Sequence, residues 1–180
     1  MAYHPVHYIE NCLPKNVHAE MLELAIGFSY QQAAEELHTY AHHYHELAEW
    51  AREKIRKDCK VQVLGDKGYS IQKFSVGQGI GVHQDSVESH KYDGDFTPTM
   101  TMVYYLNDNY DGGELCLSRD KFYGYDTWRP RDELFPSAKS VIKPKANSCV
   151  IFDAEMYHWV VPVTSGERYS YTIFYNTEEQ

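Results

Sequence analysis

The spacing of apolar residues changes once along this 180-residue chain, near residue 60, and that change limits the folds that are possible. Before it, apolar residues recur at helical intervals; after it, they alternate with polar ones, and Gly, Asn, Asp and Pro interrupt the runs. Because no helical segments separate the strands that this alternation predicts, a parallel sheet is not expected. The pattern predicts a mainly β (α+β) fold, an antiparallel jelly roll braced by N-terminal helices. The predicted strands are residues 69–74, the segment around His83, and residues 99–106, 114–118, 139–144, 148–153, 157–163 and 168–175.

Two helices are predicted before the change in spacing. Val17 and Met21 belong to the apolar stripe of a helix over residues 16–27, with Asn16 as its N-cap and Gly27 at its end. A longer helix is predicted over residues 31–59. The length of the chain suggests a single domain over residues 1–180, in which residues 1–60 form a helical support and residues 61–180 form the β core.

The net charge indicates which partners to exclude, and the spacing of the cysteines indicates the cellular compartment. A net charge of -9 argues against binding to nucleic acid or to an anionic membrane, because phosphate groups attract basic surfaces. No apolar run approaches the length of a membrane span, and the N-terminus does not have the pattern of a signal peptide. The four cysteines are far apart, which is typical of reduced thiols. These features predict a cytoplasmic protein.

The most informative short motif is His83-Gln-Asp85. Side chains two positions apart in a strand point to the same face, so this imidazole and this carboxylate could meet at one point. They would supply two ligands of the 2-His-1-carboxylate triad that binds Fe(II) in non-haem oxygenases. The motif alone is weak evidence, because a match by chance is easy in a chain with ten histidines.

A third ligand and an anion clamp are both candidates further along the chain. His158 follows an apolar run and lies near a strand start, although a lone histidine there is more often packed or exposed than a ligand. Arg168, Ser170 and Thr172 share one face of the last predicted strand. A guanidinium fork beside a hydroxyl is suited to binding a carboxylate, whereas the alternative is a salt bridge on an edge strand.

Histidines also cluster on the second predicted helix. His38, His42 and His45 lie on one face, at positions i, i+4 and i+7. A second metal site is one interpretation. The charge and apolar patterns of the helix already explain these residues as a solvated or half-buried face, and we favour that interpretation.

A family resemblance extends over residues 74–175. Several stretches match in order, spacing and residue type, and they resemble the catalytic domain of the Fe(II)- and 2-oxoglutarate-dependent dioxygenases, most closely the prolyl 4-hydroxylase branch. The matching stretches are Phe74-Ser-Val-Gly77, His83-Gln-Asp85, Val103-Tyr-Tyr-Leu-Asn-Asp108, Gly112-Gly-Glu-Leu115, residues 142–153 and residues 158–170.

This resemblance implies a double-stranded β-helix, the cupin-like form of the jelly roll, with a catalytic core at residues 61–180. His83, Asp85 and His158 match the iron ligands of the family. Arg168, Ser170 and Tyr105 match the residues that bind the distal carboxylate of 2-oxoglutarate. The implied cofactors are Fe(II), 2-oxoglutarate as cosubstrate and O2, with ascorbate as a candidate reductant. The implied reaction is hydroxylation of an unactivated C–H bond, coupled to decarboxylation of 2-oxoglutarate to succinate.

The substrate remains open between two kinds of molecule. A prolyl or other residue of a peptide or protein is the first expectation. Phe74 and Ile80 stand where the family often has tyrosines, which weakens the case for proline and keeps a free amino acid or another small molecule as the alternative. A third, different reading is a jelly-roll binding module without catalysis, against which the intact ligand set speaks.

Two aromatic features have open roles. The long segment at residues 119–137 is interpreted as a substrate lid, with a self-packed surface loop as the alternative. Trp159 either lines the cleft or belongs to the core. The sequence does not decide between a monomer and a homodimer.

Overall fold

The computed structural model of the chain describes residues 5–27, 41–86, 96–119 and 140–179. Within these ranges the chain forms two helices and eleven strands. The helices are α1 (Lys15–Ile26) and α2 (Ala41–Cys59). The strands are β1 (His7–Glu10), β2 (Val61–Phe74), β3 (Ile80–His83), β4 (Met100–Tyr105), β5 (Asp111–Gly112), β6 (Leu115–Ser118), β7 (Ser140–Ile142), β8 (Ser148–Asp153), β9 (Tyr157–Val160), β10 (Val163–Ser165) and β11 (Arg168–Glu179).

Two antiparallel sheets form the body of the protein. The major sheet has the strand order β1-β8-β4-β11-β2, and the minor sheet has the order β3-β9-β6-β7. A short pair, β10 and β5, adds a third element. Side chains from both sheets meet in one buried cluster, which we call the inner cluster, so the sheets enclose a common core. The predicted jelly-roll fold is therefore confirmed. The inner cluster contains Phe74, Val103, Tyr105, Tyr110, Leu115, Leu117, Val150, Phe152, Met156, Val160 and Val163.

The helices cover the outer face of the major sheet, as predicted. Met21 and Ala25 of α1 and Leu47 and Ile55 of α2 are buried against this face. The opposing strand residues alternate with those of the inner cluster, because successive side chains of a strand point to opposite faces. These strand residues include Met102, Tyr104, Ile151, Tyr171, Ile173 and Tyr175. Neither helix, over the residues described, is both long and apolar enough to cross a membrane.

Several predicted boundaries are wrong for identifiable reasons. Helix α1 begins at Lys15, with Pro14 rather than Asn16 at the N-cap position and without a side-chain cap. The strand predicted over residues 69–74 begins at Val61 instead. Gly65 and Gly68 interrupt the alternation of apolar residues in this segment, but pairing with β11 along its length keeps it extended. The strand predicted over residues 157–163 divides into β9 and β10 at Pro162, whose nitrogen has no hydrogen to donate.

Candidate active site

The three predicted metal ligands lie together inside the jelly roll. His83 at the end of β3 and His158 in β9 are direct partners across the antiparallel ladder. The Nε2 atom of His83 is 3.4 Å from Oδ1 of Asp85, and Nε2 of His158 is 3.4 Å from Oδ2 of Asp85. One ligand atom from each residue can be chosen so that all three lie within 4.8 Å of one another. Among the described residues, this is the one group of three or more metal-binding side chains with that geometry.

Asp85 reaches this point by a route that the sequence did not indicate. We predicted that His83 and Asp85 share one strand face, but β3 ends at His83 and Asp85 starts a short turn. The turn is held by a hydrogen bond from the backbone N–H of Ser86 to the carbonyl of Ala154, 3.1 Å long. The chain that leads into β9 therefore fixes the carboxylate against the two imidazoles.

Backbone carbonyls orient both imidazoles. The Nδ1 atom of His83 lies 2.9 Å from the carbonyl oxygen of Gly81, and Nδ1 of His158 lies 3.0 Å from that of Met156. A carbonyl oxygen can only accept, so each Nδ1 carries the hydrogen and donates it. Nε2 of each ring is then the nitrogen that faces Asp85 and that is available to a metal.

Asp85 is buried but ionised. Burial by itself raises the pKa of a carboxyl group, but the adjacent imidazoles of His158 and His83 reverse that effect and hold the pKa of Asp85 well below its ordinary value. The Oγ1 hydroxyl of Thr101 donates to Oδ2 of Asp85 at 2.6 Å. A buried carboxylate facing two imidazole nitrogens is a site that stabilises a cation, and this donor set is the one that suits Fe(II).

Arg168 lies in the same interior, at the start of β11. Its side chain is 1% exposed, and its Nη1 donates to Oγ of Ser170 at 2.9 Å. The rings of Phe74 and Tyr105 flank the guanidinium, with their centroids 5.4 Å and 5.0 Å from Cζ. Among the residues described, no acidic side chain pairs with Arg168, and its Nε has no hydrogen-bond partner. A buried cation without a counter-charge is costly, so this pocket is suited to an anionic ligand.

Two phenols beside Arg168 also lack partners. The hydroxyls of Tyr105 and Tyr110 are buried, and neither has a hydrogen bond of normal length and angle within the described part of the chain, although both lie close enough to the Arg168 guanidinium to be influenced by it. Burial raises the pKa of both phenols, and the neighbouring Arg168 opposes that rise. The sequence predicted Tyr105, but not Tyr110 or Thr101. The only sequence signal for Tyr110 is an aromatic residue in a polar turn before two glycines, and that signal is weak.

The other predicted features are either placed elsewhere or outside the described residues. In β9, His158 faces the inner cluster, whereas Trp159 packs with Val82 and Cys116 on the opposite face of the minor sheet. Of the two alternatives for Trp159, the core position is therefore correct. Ile80 packs on the inner cluster. Most of the predicted lid at residues 119–137, together with His38 and the side chains of His42 and His45, lies outside the described residues.

Comparison with known proteins agrees with this fold and identifies a family. The model of the 2OG-Fe(II) oxygenase superfamily matches residues 69–176. A PKHD-type hydroxylase from Beijerinckia indica is 28% identical over 102 residues, which are 54% of this chain and 38% of the relative. The chain thus spans well under half the length of that curated relative.

Solved structures show the same fold at low identity. A Pseudomonas putida prolyl-4-hydroxylase superposes with a TM-score of 0.63 at 19% identity, covering 96% of this chain and 85% of that one. The viral collagen prolyl hydroxylase of Paramecium bursaria Chlorella virus-1, solved as its 2-oxoglutarate complex, gives a TM-score of 0.64 at 20% identity, with 94% of each chain covered. Because the family match covers more than half of its length, the chain belongs to the 2OG-Fe(II) oxygenase superfamily. Membership in this superfamily implies Fe(II), 2-oxoglutarate and O2.

Proposed function

We propose that this oxygenase is a hydroxylase in which His83, Asp85 and His158 bind Fe(II) and Arg168 binds the distal carboxylate of 2-oxoglutarate, with Ser170 and Tyr105 beside it. The observation that carries the proposal is the coexistence of two sites in one interior. One is a preoriented set of two imidazoles and a carboxylate, and the other is a buried guanidinium with no acidic partner among the described residues.

When bound, Fe(II), 2-oxoglutarate and O2 supply the oxidising chemistry that decarboxylates the cosubstrate to succinate and hydroxylates a C–H bond. The residues of this chain provide binding, orientation and exclusion of water. The carbonyls of Gly81 and Met156 fix the two imidazoles, and the Thr101 hydroxyl fixes the carboxylate of Asp85. Apolar residues of the inner cluster surround these groups, so a carboxylate bound to Arg168 is attracted in a low-dielectric environment.

A prolyl or other residue of a peptide is the substrate that we propose first. The support is the similarity of the fold to prolyl hydroxylases, one of which is named for collagen. Ile80 favours a second candidate, a free amino acid or other small molecule, because an isoleucine stands where prolyl hydroxylases often have a tyrosine. Ascorbate is proposed as the reductant.

Anaerobic titration of the protein with Fe(II) and then 2-oxoglutarate tests the metal and cosubstrate assignments. We expect the visible absorbance of a chelated 2-oxo acid to appear with the wild-type protein and to be lost in His83→Ala and His158→Ala. His7→Ala is the matched control, because His7 lies in β1 at the edge of the major sheet, whereas His83 and His158 lie in the minor sheet, and it should leave the absorbance unchanged. A wild-type protein that develops no absorbance would refute the proposal.

Succinate production then separates the substrate candidates. With Fe(II), 2-oxoglutarate and O2 supplied, we expect proline-containing peptides to raise succinate formation above the uncoupled background, with a mass gain of one oxygen in the peptide. Stimulation by free amino acids but by no peptide would favour the small-molecule alternative.

A further inference from the structure

Tyr110 is a second phenol beside the Arg168 guanidinium, and the proposed function above does not yet assign it a role. It follows β4 in the connection that leads to β5, and its ring belongs to the inner cluster. Its side chain is 4% exposed, and its hydroxyl has no hydrogen-bond partner among the described residues. Leaving such a group unpaired costs free energy, so a partner absent from the polypeptide is expected.

Lys143 holds the ring of Tyr110 in place. The ammonium group of Lys143 lies 4.7 Å from the ring centroid. The same ammonium donates to the backbone carbonyls of Tyr110 at 3.0 Å and of Gly112 at 2.9 Å. The lysine therefore fixes both the backbone and the ring of Tyr110, and the hydroxyl is not free to turn to solvent.

Gly113 allows Tyr110 and Arg168 to approach each other. Its φ angle is +67°, a conformation that favours glycine. A Cβ atom at this position would lie 2.9 Å from Cδ of Arg168 and 3.0 Å from Cε2 of Tyr110, which is too close for both. The absence of a side chain at residue 113 thus makes room for the phenol to pack against the arginine.

Three polar groups therefore converge without partners among the described residues: the Nε atom of Arg168 and the hydroxyls of Tyr105 and Tyr110. Phe74 lies against the same guanidinium and has no hydroxyl to contribute. Phenol hydroxyls donate to a carboxylate, and hydrogen bonds to charged groups are the stronger kind.

We propose that Tyr110 is a cosubstrate-binding residue which, together with Tyr105, donates a hydrogen bond to the distal carboxylate held by Arg168, in place of the hydroxyl that Phe74 lacks. This inference rests on the proposed function. It makes the selectivity for a dicarboxylic 2-oxo acid depend on Tyr110, because a 2-oxo monocarboxylic acid has no group at that position.

Calorimetric titration of the Fe(II)-loaded protein under anaerobic conditions tests this inference by comparing two ligands. One is 2-oxoglutarate, and the other is 2-oxobutyrate, which lacks the distal carboxylate. We expect Tyr110→Phe to weaken binding of 2-oxoglutarate roughly tenfold, which is the loss of one hydrogen bond to a charged group. Binding of 2-oxobutyrate and of Fe(II) should not change.

Tyr104→Phe is the matched control, because it removes a buried phenol from β4 on the face of the major sheet opposite Tyr105, away from Arg168. It should change neither ligand affinity. If Tyr110→Phe binds 2-oxoglutarate as tightly as wild type, or weakens both 2-oxo acids equally, Tyr110 has a packing role only and the inference is wrong. If the wild-type protein itself binds no 2-oxoglutarate, the proposed function fails and this inference fails with it.

Discussion

Tyr104 and Tyr105 are neighbours in β4, yet their hydroxyls lie in two contrasting surroundings. The hydroxyl of Tyr104, on the helix side of the major sheet, donates to Oδ1 of Asn147 at 2.9 Å and lies 2.6 Å from Nδ1 of His18. The hydroxyl of Tyr105, on the inner side, has no partner in the described part of the chain. One strand thus separates a bonded polar cluster from an unbonded one.

The bonded cluster attaches the N-terminal segment to the sheet. The side chain of Asn147 accepts from the backbone N–H of Leu13 at 3.0 Å and donates to the carbonyl of Leu13 at 2.9 Å. The backbone carbonyl of Asn147 accepts from the backbone N–H of Cys12 at 3.1 Å. Here the buried polar groups bond one another, and what they provide is stability.

The unbonded cluster around Arg168 provides little stability by itself. Its charge is buried without an acidic partner among the described residues, and two phenols beside it are unpaired. Such groups are retained when a ligand completes them. The two faces of β4 are equally buried but differ in their hydrogen bonds. Polar groups that bond one another form a structural network, whereas polar groups left unpaired indicate a place where a ligand binds.

Removing the Asn147 side chain should damage the bonded cluster alone. Asn147→Ala leaves both backbone groups of Leu13 without their side-chain partner and leaves the Tyr104 hydroxyl with His18 alone, and we expect the free energy of unfolding to fall by roughly 3 kcal/mol. Urea unfolding measures this loss, while the 2-oxoglutarate affinity should stay within about twofold of wild type. Asn147→Gly separates the hydrogen bonds from backbone strain, because the φ of Asn147 is +58°. A large loss of affinity with little loss of stability would contradict the comparison.

Arg168→Met should have the opposite effect to Asn147→Ala: it should lower the affinity for 2-oxoglutarate without lowering stability. The substitution removes a buried charge and keeps an apolar side chain, so we expect the free energy of unfolding of the protein without ligands to be unchanged or raised. The affinity for 2-oxoglutarate should fall on the order of 100-fold, about 2.7 kcal/mol, whereas the affinity for Fe(II) should be retained. Calorimetry and urea unfolding measure the two quantities. Marked destabilisation without loss of affinity would mean that the arginine is structural.

A smaller effect concerns pH and the bonded cluster. Burial lowers the pKa of His18 below its ordinary value of 6.5, despite the opposing charge of Asp108 and the Leu106 backbone. The unfolded chain therefore takes up a proton at His18 before the folded protein does, so this residue costs stability as the pH falls below 6.5. His18→Gln should not lose stability in this way, because glutamine does not titrate. Between about pH 7.5 and about pH 5, the free energy of unfolding of wild type should therefore fall by more than that of His18→Gln, with a difference of less than ~1 kcal/mol. Parallel stability profiles for the two proteins would show that His18 does not titrate in this way.

The sequence predicted the fold better than it predicted the site. The change of apolar spacing near residue 60 was enough for the jelly roll with two helices, because alternation and helical spacing are properties of each segment. Strand ends were less predictable, since pairing with a distant strand extends β2 beyond its own pattern. The division at residue 60 and the cytoplasmic location stay predictions.

For the candidate site, the motif and the resemblance predicted six residues, and the structure brings them together in two groups. His83, Asp85 and His158 form one group, and Arg168, Ser170 and Tyr105 form the other. The sequence did not predict the turn at Asp85, the contact of Thr101 or the position of Tyr110. Each depends on how a connection folds against a strand far away in sequence, and no local pattern encodes such a contact. Thr101, for example, meets Asp85 only because β4 lies against the turn that follows β3.

The pairing of His83 with His158 has a consequence for the integrity of the sheet. Strand β3 is an edge strand of the minor sheet, and among the described strands it is bonded to β9 alone. A ferrous ion bound by both histidines would cross-link that marginal strand to its neighbour. Loss of iron would then loosen β3 against its neighbour as well as remove the proposed chemistry, and amide hydrogen exchange in β3 would report the occupancy of the metal.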